Sequence, residues 1–243
     1  EVATDLGVLA QIEEAQFHLP EAHTYQERIV TIYQNTYGAS SYEAASAQVS
    51  LARLLRKEGR VDEAESLYRE ALDPLEKEVK RDPRGVTRCL FGLAQVYRQQ
   101  KRWQPAEEAV RYALHYEETA FGSRHPTVGA SYLYLSELYA DQGKFSDAQA
   151  MVVRALDIYE AALGARHPYY ARGLFLLRSV LFEQGDLESA DAMLKQAMTI
   201  YEETYGKQHS SRVALLGQRG QIAMRRGQFE VAASLYEEVI GIL

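Results

Sequence analysis

Apolar residues in this chain follow two rhythms. Locally they fall at the spacing of one helical face. Tyr132, Leu135, Leu138 and Tyr139 line one side of 128–141, and Ala148, Met151, Val152, Ala155, Leu156 and Tyr159 line one side of the stretch that follows, to about Leu163. Over longer distances whole columns return every 42 residues. Alanine stands at Ala22, Ala64, Ala106, Ala148, Ala190 and Ala232. Three residues before each comes a large apolar side chain: Leu19, Val61, Trp103, Phe145, Leu187 and Phe229. Seven residues after each comes Ile29, Ala71, Ala113, Ala155, Ala197 and Val239. A further pair of columns reads Leu9-Ala10, Leu51-Ala52, Leu93-Ala94, Leu135-Ser136, Leu177-Arg178 and Arg219-Gly220. A fixed period of this length marks stacked supersecondary units. The pattern predicts an all-α chain of about six helix–turn–helix units, at 1–37, 38–83, 84–125, 126–167, 168–209 and 210–243, forming a single array.

Turn-forming residues punctuate the units at the same period. Gly59, Gly143, Gly185 and Gly227 separate the two helices of a unit, with Phe17 and Lys101 as departures. Glycine suits the left-handed conformation that ends a helix. Ser146 is placed to cap the helix after Gly143. Gly164 stops that helix, and His167-Pro168 opens the next unit, as His125-Pro126 does one period earlier. At the next equivalent position the sequence reads His209-Ser210, and Pro83 stands one residue earlier than the period predicts. Two helices alone bury too little surface, so neighbouring units must stack. Small residues in the alanine columns let helix axes approach to roughly 8–10 Å. The bulky column before them, Trp103 included, is expected to fill the wedge between successive pairs.

These features resemble the tetratricopeptide repeat, and more narrowly its 42-residue form found in kinesin light chains and many bacterial proteins. The residues that carry the resemblance are the pairs Leu51-Ala52 and Leu93-Ala94, the turn glycine, the alanine five residues later, and Leu-Gly-x-x-His-Pro from Leu163 to Pro168. The resemblance covers essentially the whole chain and implies a right-handed α-solenoid. The usual unit of that family has about 34 residues, and the extra length adds about two helical turns. Arg178 departs from the pattern at a close-packing position, so that crossing is expected to open or to let Arg178 snorkel to water. Arg219 and Gly220 depart in the last unit. The paired asparagines with which kinesin light chains hold cargo peptides are also missing. Their sites read Val49-Ser50, Phe91-Gly92, Leu133-Tyr134, Phe175-Leu176 and Gly217-Gln218.

In that family the first helix of each unit lines a concave face. The resemblance therefore implies a peptide-binding groove at Val49, Arg53, Arg56, Arg88, Phe91, Gln95, Arg98, Leu133, Tyr134, Glu137, Arg172, Phe175, Ser179 and Phe182. The earlier units bring arginine to this surface and the later ones apolar residues. Such a surface suits a partner with carboxylates at one end and apolar anchors at the other. On this reading Arg53→Glu with Arg98→Glu abolishes partner capture and leaves the melting temperature nearly unchanged.

Composition narrows the partner class. The 243 residues carry a formal net charge of −7, which opposes general binding to nucleic acid or anionic lipid. Hydrophobic content of 47% and charged content of 25% are those of a folded protein. No apolar run is long enough to span a membrane. Cys89 stands alone, so no intrachain disulfide forms, and compartment is left open with a slight lean to the cytoplasm. The sequence lacks the Gly-x-Ser-x-Gly, Cys-x-x-Cys and His-Glu-x-x-His motifs and phosphate-cradling glycine loops, so no enzyme, metal site or cofactor is expected. His125, His167 and His209 recur, but stacked units hold equivalent residues too far apart for one zinc ion, and a turn or cap role is expected instead. Glu117-Glu118, Glu160, Glu202-Glu203 and Glu237-Glu238 read as a solvated convex face. The first residue is Glu1, which reads as a fragment of a longer protein. Leu235, Val239, Ile240, Ile242 and Leu243 leave an apolar face on the last helix, for further units or for self-association. The leading expectation is an interaction scaffold that holds a protein or peptide partner. The alternative is a peptide-sensing regulatory domain of a larger bacterial regulator.

Overall fold

A computed structural model describes residues 2–80, 82–206 and 210–242. Among these residues there are helices and no strand. The helices are α1 (Val2–Ala15), α2 (Leu19–Tyr37), α3 (Tyr42–Lys57), α4 (Val61–Lys77), α5 (Pro83–Gln99), α6 (Trp103–Phe121), α7 (Pro126–Asp141), α8 (Phe145–Leu163), α9 (Pro168–Gln184), α10 (Leu187–Tyr205), α11 (Ser210–Arg225) and α12 (Phe229–Ile242). They fall into two compact units, 1–120 and 121–243. In the first, α1 packs on α2, α2 on α3, α3 on α4 and α4 on α5. In the second, each helix from α7 to α12 packs on the next. The odd-numbered helices also meet directly, α3 with α5 and α7 with α9, so they share one side of their unit.

The alanine columns explain the spacing. Ala22, Ala64, Ala106, Ala148, Ala190 and Ala232 are all fully buried at 0% exposure. A larger side chain at any of them would hold two helices apart. Larger residues fill the layers between. Val152, Leu156, Tyr159 and Leu174 form one cluster with Ala155, Ala171 and Ala197, and Leu181, Leu194, Leu215 and Ile222 form another with Ala190. The bulky column before the alanines is half-buried from Leu19 to Leu187, Trp103 included, so it edges the core without entering it. Phe229 departs from its column, at 64% exposure.

Every turn within a hairpin uses the same backbone device. Phe17, Gly59, Lys101, Gly143, Gly185 and Gly227 all have positive φ, between 58° and 85°. Phe17 and Lys101 thus adopt the left-handed conformation although they are not glycine. A side chain there costs roughly 1–2 kcal/mol. At the start of α8, Lys144 holds the N-cap position and makes no side-chain cap. The helix already includes Phe145 and Ser146, so the expected Ser146 cap is not made. The apolar face expected on α12 splits. Leu235 is buried, Val239 and Ile242 pack against its cluster, and Ile240 is 73% exposed. Leu243 lies outside the described residues.

Candidate functional site

In the first unit, five of the positions singled out in the sequence converge. Val49, Arg53, Arg88, Phe91 and Gln95 line one cavity of about 260 Å³, together with Ser50, Tyr68 and Gly92. Helix geometry explains the gathering. Val49 and Arg53 lie one turn apart on α3, and Arg88, Phe91 and Gln95 follow at three- and four-residue steps on α5. Val49 is only 7% exposed and forms part of the wall rather than a protruding contact. The floor is the ring of Tyr68, which is 2% exposed and whose phenol is pushed up to about 12 by burial. That ring takes the place a side chain at position 92 would need, since a Cβ on Gly92 would lie 2.2 Å from Tyr68 Cζ.

The cations around this cavity differ in how they are held. Arg88 is exposed and donates from Nη2 to Ser46 Oγ at 3.2 Å. Arg53 Nη1 and Nη2 donate to the two carboxylate oxygens of Glu14 on α1, the second bond at 2.7 Å. Lys57 Nζ donates to the same carboxylate at 2.6 Å. Hydrogen bonds from Arg53, and then from Lys57, outweigh burial and hold Glu14 down at about 2. Arg53 is therefore a structural clasp between hairpins as well as a cavity wall, and an acidic residue there would face Glu14. The expectation that Arg53→Glu leaves stability untouched does not survive this contact. Arg56 is half-buried, and its Nε is closed off from water with no acceptor among the described residues. Arg98 is half-buried on α5.

In the second unit, Leu133 is 1% exposed and belongs to the core, so it is closed to a partner. Tyr134, Glu137, Phe175, Ser179 and Phe182 are half-buried, and Arg172 is exposed. The apolar end expected from the sequence is less bare than its residue types imply. Arg178 Cζ lies 5.0 Å from the Phe175 ring centroid, and Arg225 Cζ lies 4.6 Å from that of Phe182. Ser179 Oγ donates to the Phe175 carbonyl at 3.2 Å and accepts from Arg178 Nη2 at 2.8 Å. Arg178 does not extend into water: it is 7% exposed, with its Nε closed off and the guanidinium held beside Phe175 and Ser179. Sequence reading marked it as a packing fault and missed its nearness to Phe175 and Ser179. The signal was present, since a charged residue in a small-residue column needs a partner.

A wider cleft of about 680 Å³ lies elsewhere in the first unit, lined by Arg69, Tyr97, Arg102, Glu108, Arg111 and Tyr112 among others. No motif or column in the sequence pointed to it. Its cations are held internally. Arg69 and Arg102 both pair with Glu65, at 3.0 and 2.7 Å, and Arg111 pairs with Glu107 at 2.8 Å. The histidines behave as caps: His125 accepts from Thr127 N and His167 from Tyr169 N. His209 lies outside the described residues. Among the described residues no group of three or more His, Cys, Asp or Glu gathers as for a metal ion, and no helix is long and apolar enough to cross a membrane. The repeated glutamates are not uniformly solvated. Glu117 is 5% exposed, and Glu202 pairs with Arg212 at 3.3 Å.

Solved structures share the fold. BtubC (BKLC) from P. vanneervenii shares the fold with a TM-score of 0.77 at 22% identity, covering 92% of this chain and 90% of that one. A putative kinesin light chain with nearly identical TPR-like repeats from Podosopora anserina gives a TM-score of 0.70 at 21% identity, over 84% of this chain and 98% of that one. The apo form of RapI gives 0.69 at 13% identity, over 99% and 97%. No curated protein sequence matches the chain significantly. The sequence profile of the tetratricopeptide repeat matches residues 1–77, 43–115, 89–161, 127–203 and 179–243. With its period, its hairpins and its profile in agreement from end to end, the chain belongs to the tetratricopeptide repeat family.

Proposed function

We propose that the chain is a non-catalytic interaction scaffold that holds a polypeptide segment against its odd-numbered helices. The observation that carries this reading is the convergence of Arg53, Arg88, Phe91 and Gln95 on one cavity over Tyr68. A guanidinium, an aromatic edge and a side-chain amide around one concavity suit an extended backbone with a carboxylate beside an apolar group. Tetratricopeptide repeats are in general protein–protein interaction modules, and the fold is shared with a Rap protein solved in complex with competence and sporulation factor. That second likeness, at 13% identity, supports a peptide-sensing regulatory domain as the alternative. An attached DNA-binding or catalytic domain in the full-length reading frame would favour the alternative.

The test is selection of a phage-displayed random dodecapeptide library on the chain, followed by affinity measurement on variants. Arg88→Glu with Gln95→Ala is expected to weaken the selected peptides at least about tenfold, a loss of about 1.4 kcal/mol. The melting temperature should hardly change, because Arg88 is exposed. Undiminished binding by that double variant would remove the cavity from the binding surface.

A further inference from the structure

Two arginines break the small and apolar packing columns, and the fold treats them differently. Arg219 replaces leucine, and its Nε donates to Asp191 Oδ1 at 2.9 Å. Lys195 shares that carboxylate at 2.7 Å. Burial alone would raise Asp191, and the two cations together overcome it and hold the carboxyl below its usual range. Arg178 replaces alanine and receives no such answer. It is 7% exposed, yet among the described residues no carboxylate lies within 4.0 Å of it. Among the described residues its one side-chain hydrogen bond goes from Nη2 to Ser179 Oγ, and Nε is closed off from water with no acceptor. Burial pulls its affinity for the proton downward, and Glu183 opposes this only from a distance. A guanidinium stays charged under all ordinary conditions and carries five donors. Burying one without a counter-ion is costly, so a fold that keeps it invites the missing anion from outside.

The guanidinium also points somewhere definite. It lies over the Phe175 ring and bonds to Ser179, both among the positions named for the groove. On α11, one 42-residue period beyond Leu176, Gln218 Oε1 is likewise closed off and receives no donor from the described residues. Among the described residues the second unit thus holds a cation without an anion and an acceptor without a donor, on helices that share one core through Leu181, Leu215 and Ile222. An extended segment carries both missing groups, a side-chain carboxylate and backbone N–H groups.

Resting on the scaffold reading above, we propose that Arg178 is the anchor of the second unit for an acidic residue of a bound protein segment, its carboxylate meeting the guanidinium beside Phe175 and its flanking apolar side chains resting on Phe175 and Phe182. The anchor stands in a packing column, which is why a search of the usual contact positions passes over it.

The test sets wild-type chain against Arg178→Met, which keeps the length of the side chain and removes the charge. A random dodecapeptide library on phage is selected on the wild type and counter-selected on the variant. Surviving clones are expected to carry Asp or Glu between apolar residues. Replacing that Asp with Asn, or Glu with Gln, should weaken binding to the wild type about tenfold or more and leave binding to Arg178→Met unchanged. The free variant should melt higher than the wild type, since its uncompensated charge is gone. In the wild type, the Arg178 Nε–Hε resonance should move on adding the acidic peptide and stay in place with its amide counterpart. Plentiful clones on the wild type with none surviving counter-selection, survivors without a carboxylate, a lower melting temperature for Arg178→Met, or an unmoved resonance would each overturn the anchor while leaving the scaffold reading intact. An absence of any clone on the wild type would sink both.

Discussion

Lys101 and Phe17 hold the left-handed backbone that glycine holds at the four equivalent turns. Lys101→Gly should relieve roughly 1–2 kcal/mol of strain and return about 0.5–1 kcal/mol as added freedom of the unfolded chain. A small net gain in stability is expected, read as a higher denaturant midpoint at unchanged slope. Gly92 presents the opposite case. A methyl group there would collide with the Tyr68 ring, and that ring is locked by burial. Gly92→Ala should therefore cost about 1–3 kcal/mol, with much of the loss recovered in a Gly92→Ala, Tyr68→Leu double variant. Glu14 supplies a pH signature. Its carboxyl titrates at about 2 in the folded chain, below its ordinary value of 4.5, chiefly because Arg53 and Lys57 bond to the charged form. A lowered folded-state value gives stability that is present above the ordinary value and lost as pH falls toward the folded one. The stability gap between wild type and Glu14→Gln should accordingly be full near neutrality and close between about pH 4.5 and pH 2, followed by chemical denaturation across that range.

At the scale of the helix, the sequence was most legible where packing repeats. The alanine columns named six fully buried positions, and the helix expected over 128–141 and the one expected after Ser146 both start within two residues of their expected positions. Caps were harder to read, because they depend on backbone angles that sequence does not display. Ser146 has the right chemistry for a cap, but the cap position falls two residues sooner, at Lys144, and α8 begins at Phe145. Ser41 does cap, accepting from Ala44 N at 3.2 Å to start α3. Ser41→Ala should cost about 1 kcal/mol, measurable by thermal melting. The candidate site was legible in part for a related reason. Helical spacing found Arg53, Arg88, Phe91 and Gln95 because neighbours on one face follow from periodicity. It did not foresee that Glu14, on another hairpin, claims Arg53, or that Leu133 turns into the core. Those outcomes depend on which helix lies opposite, and that information is spread over residues far apart in the chain.

For the molecule as a whole, stability is expected to grade along the chain, since a hairpin in a stack draws its burial from its neighbours. Leu9 is 41% exposed, while its equivalents Leu51, Leu93 and Leu135 are buried between 0% and 8%. Amide hydrogen exchange should therefore be fastest in α1 and α12 and slowest where both flanks are covered, as in α3 and α9. Equal protection throughout would mean that the hairpins do not open independently.

The fit of the Tyr68 ring over Gly92 bears on how such a chain can be rebuilt. One period on from Gly92 stands Tyr134, and the next equivalent is Leu176. A hairpin carrying Tyr68 and placed ahead of either would press its ring into an occupied site. Despite their common length, the hairpins are not interchangeable here: the one that carries Tyr68 is keyed to Gly92 of its successor, so gene-level duplication or shuffling of that segment has to change both halves of the key at once.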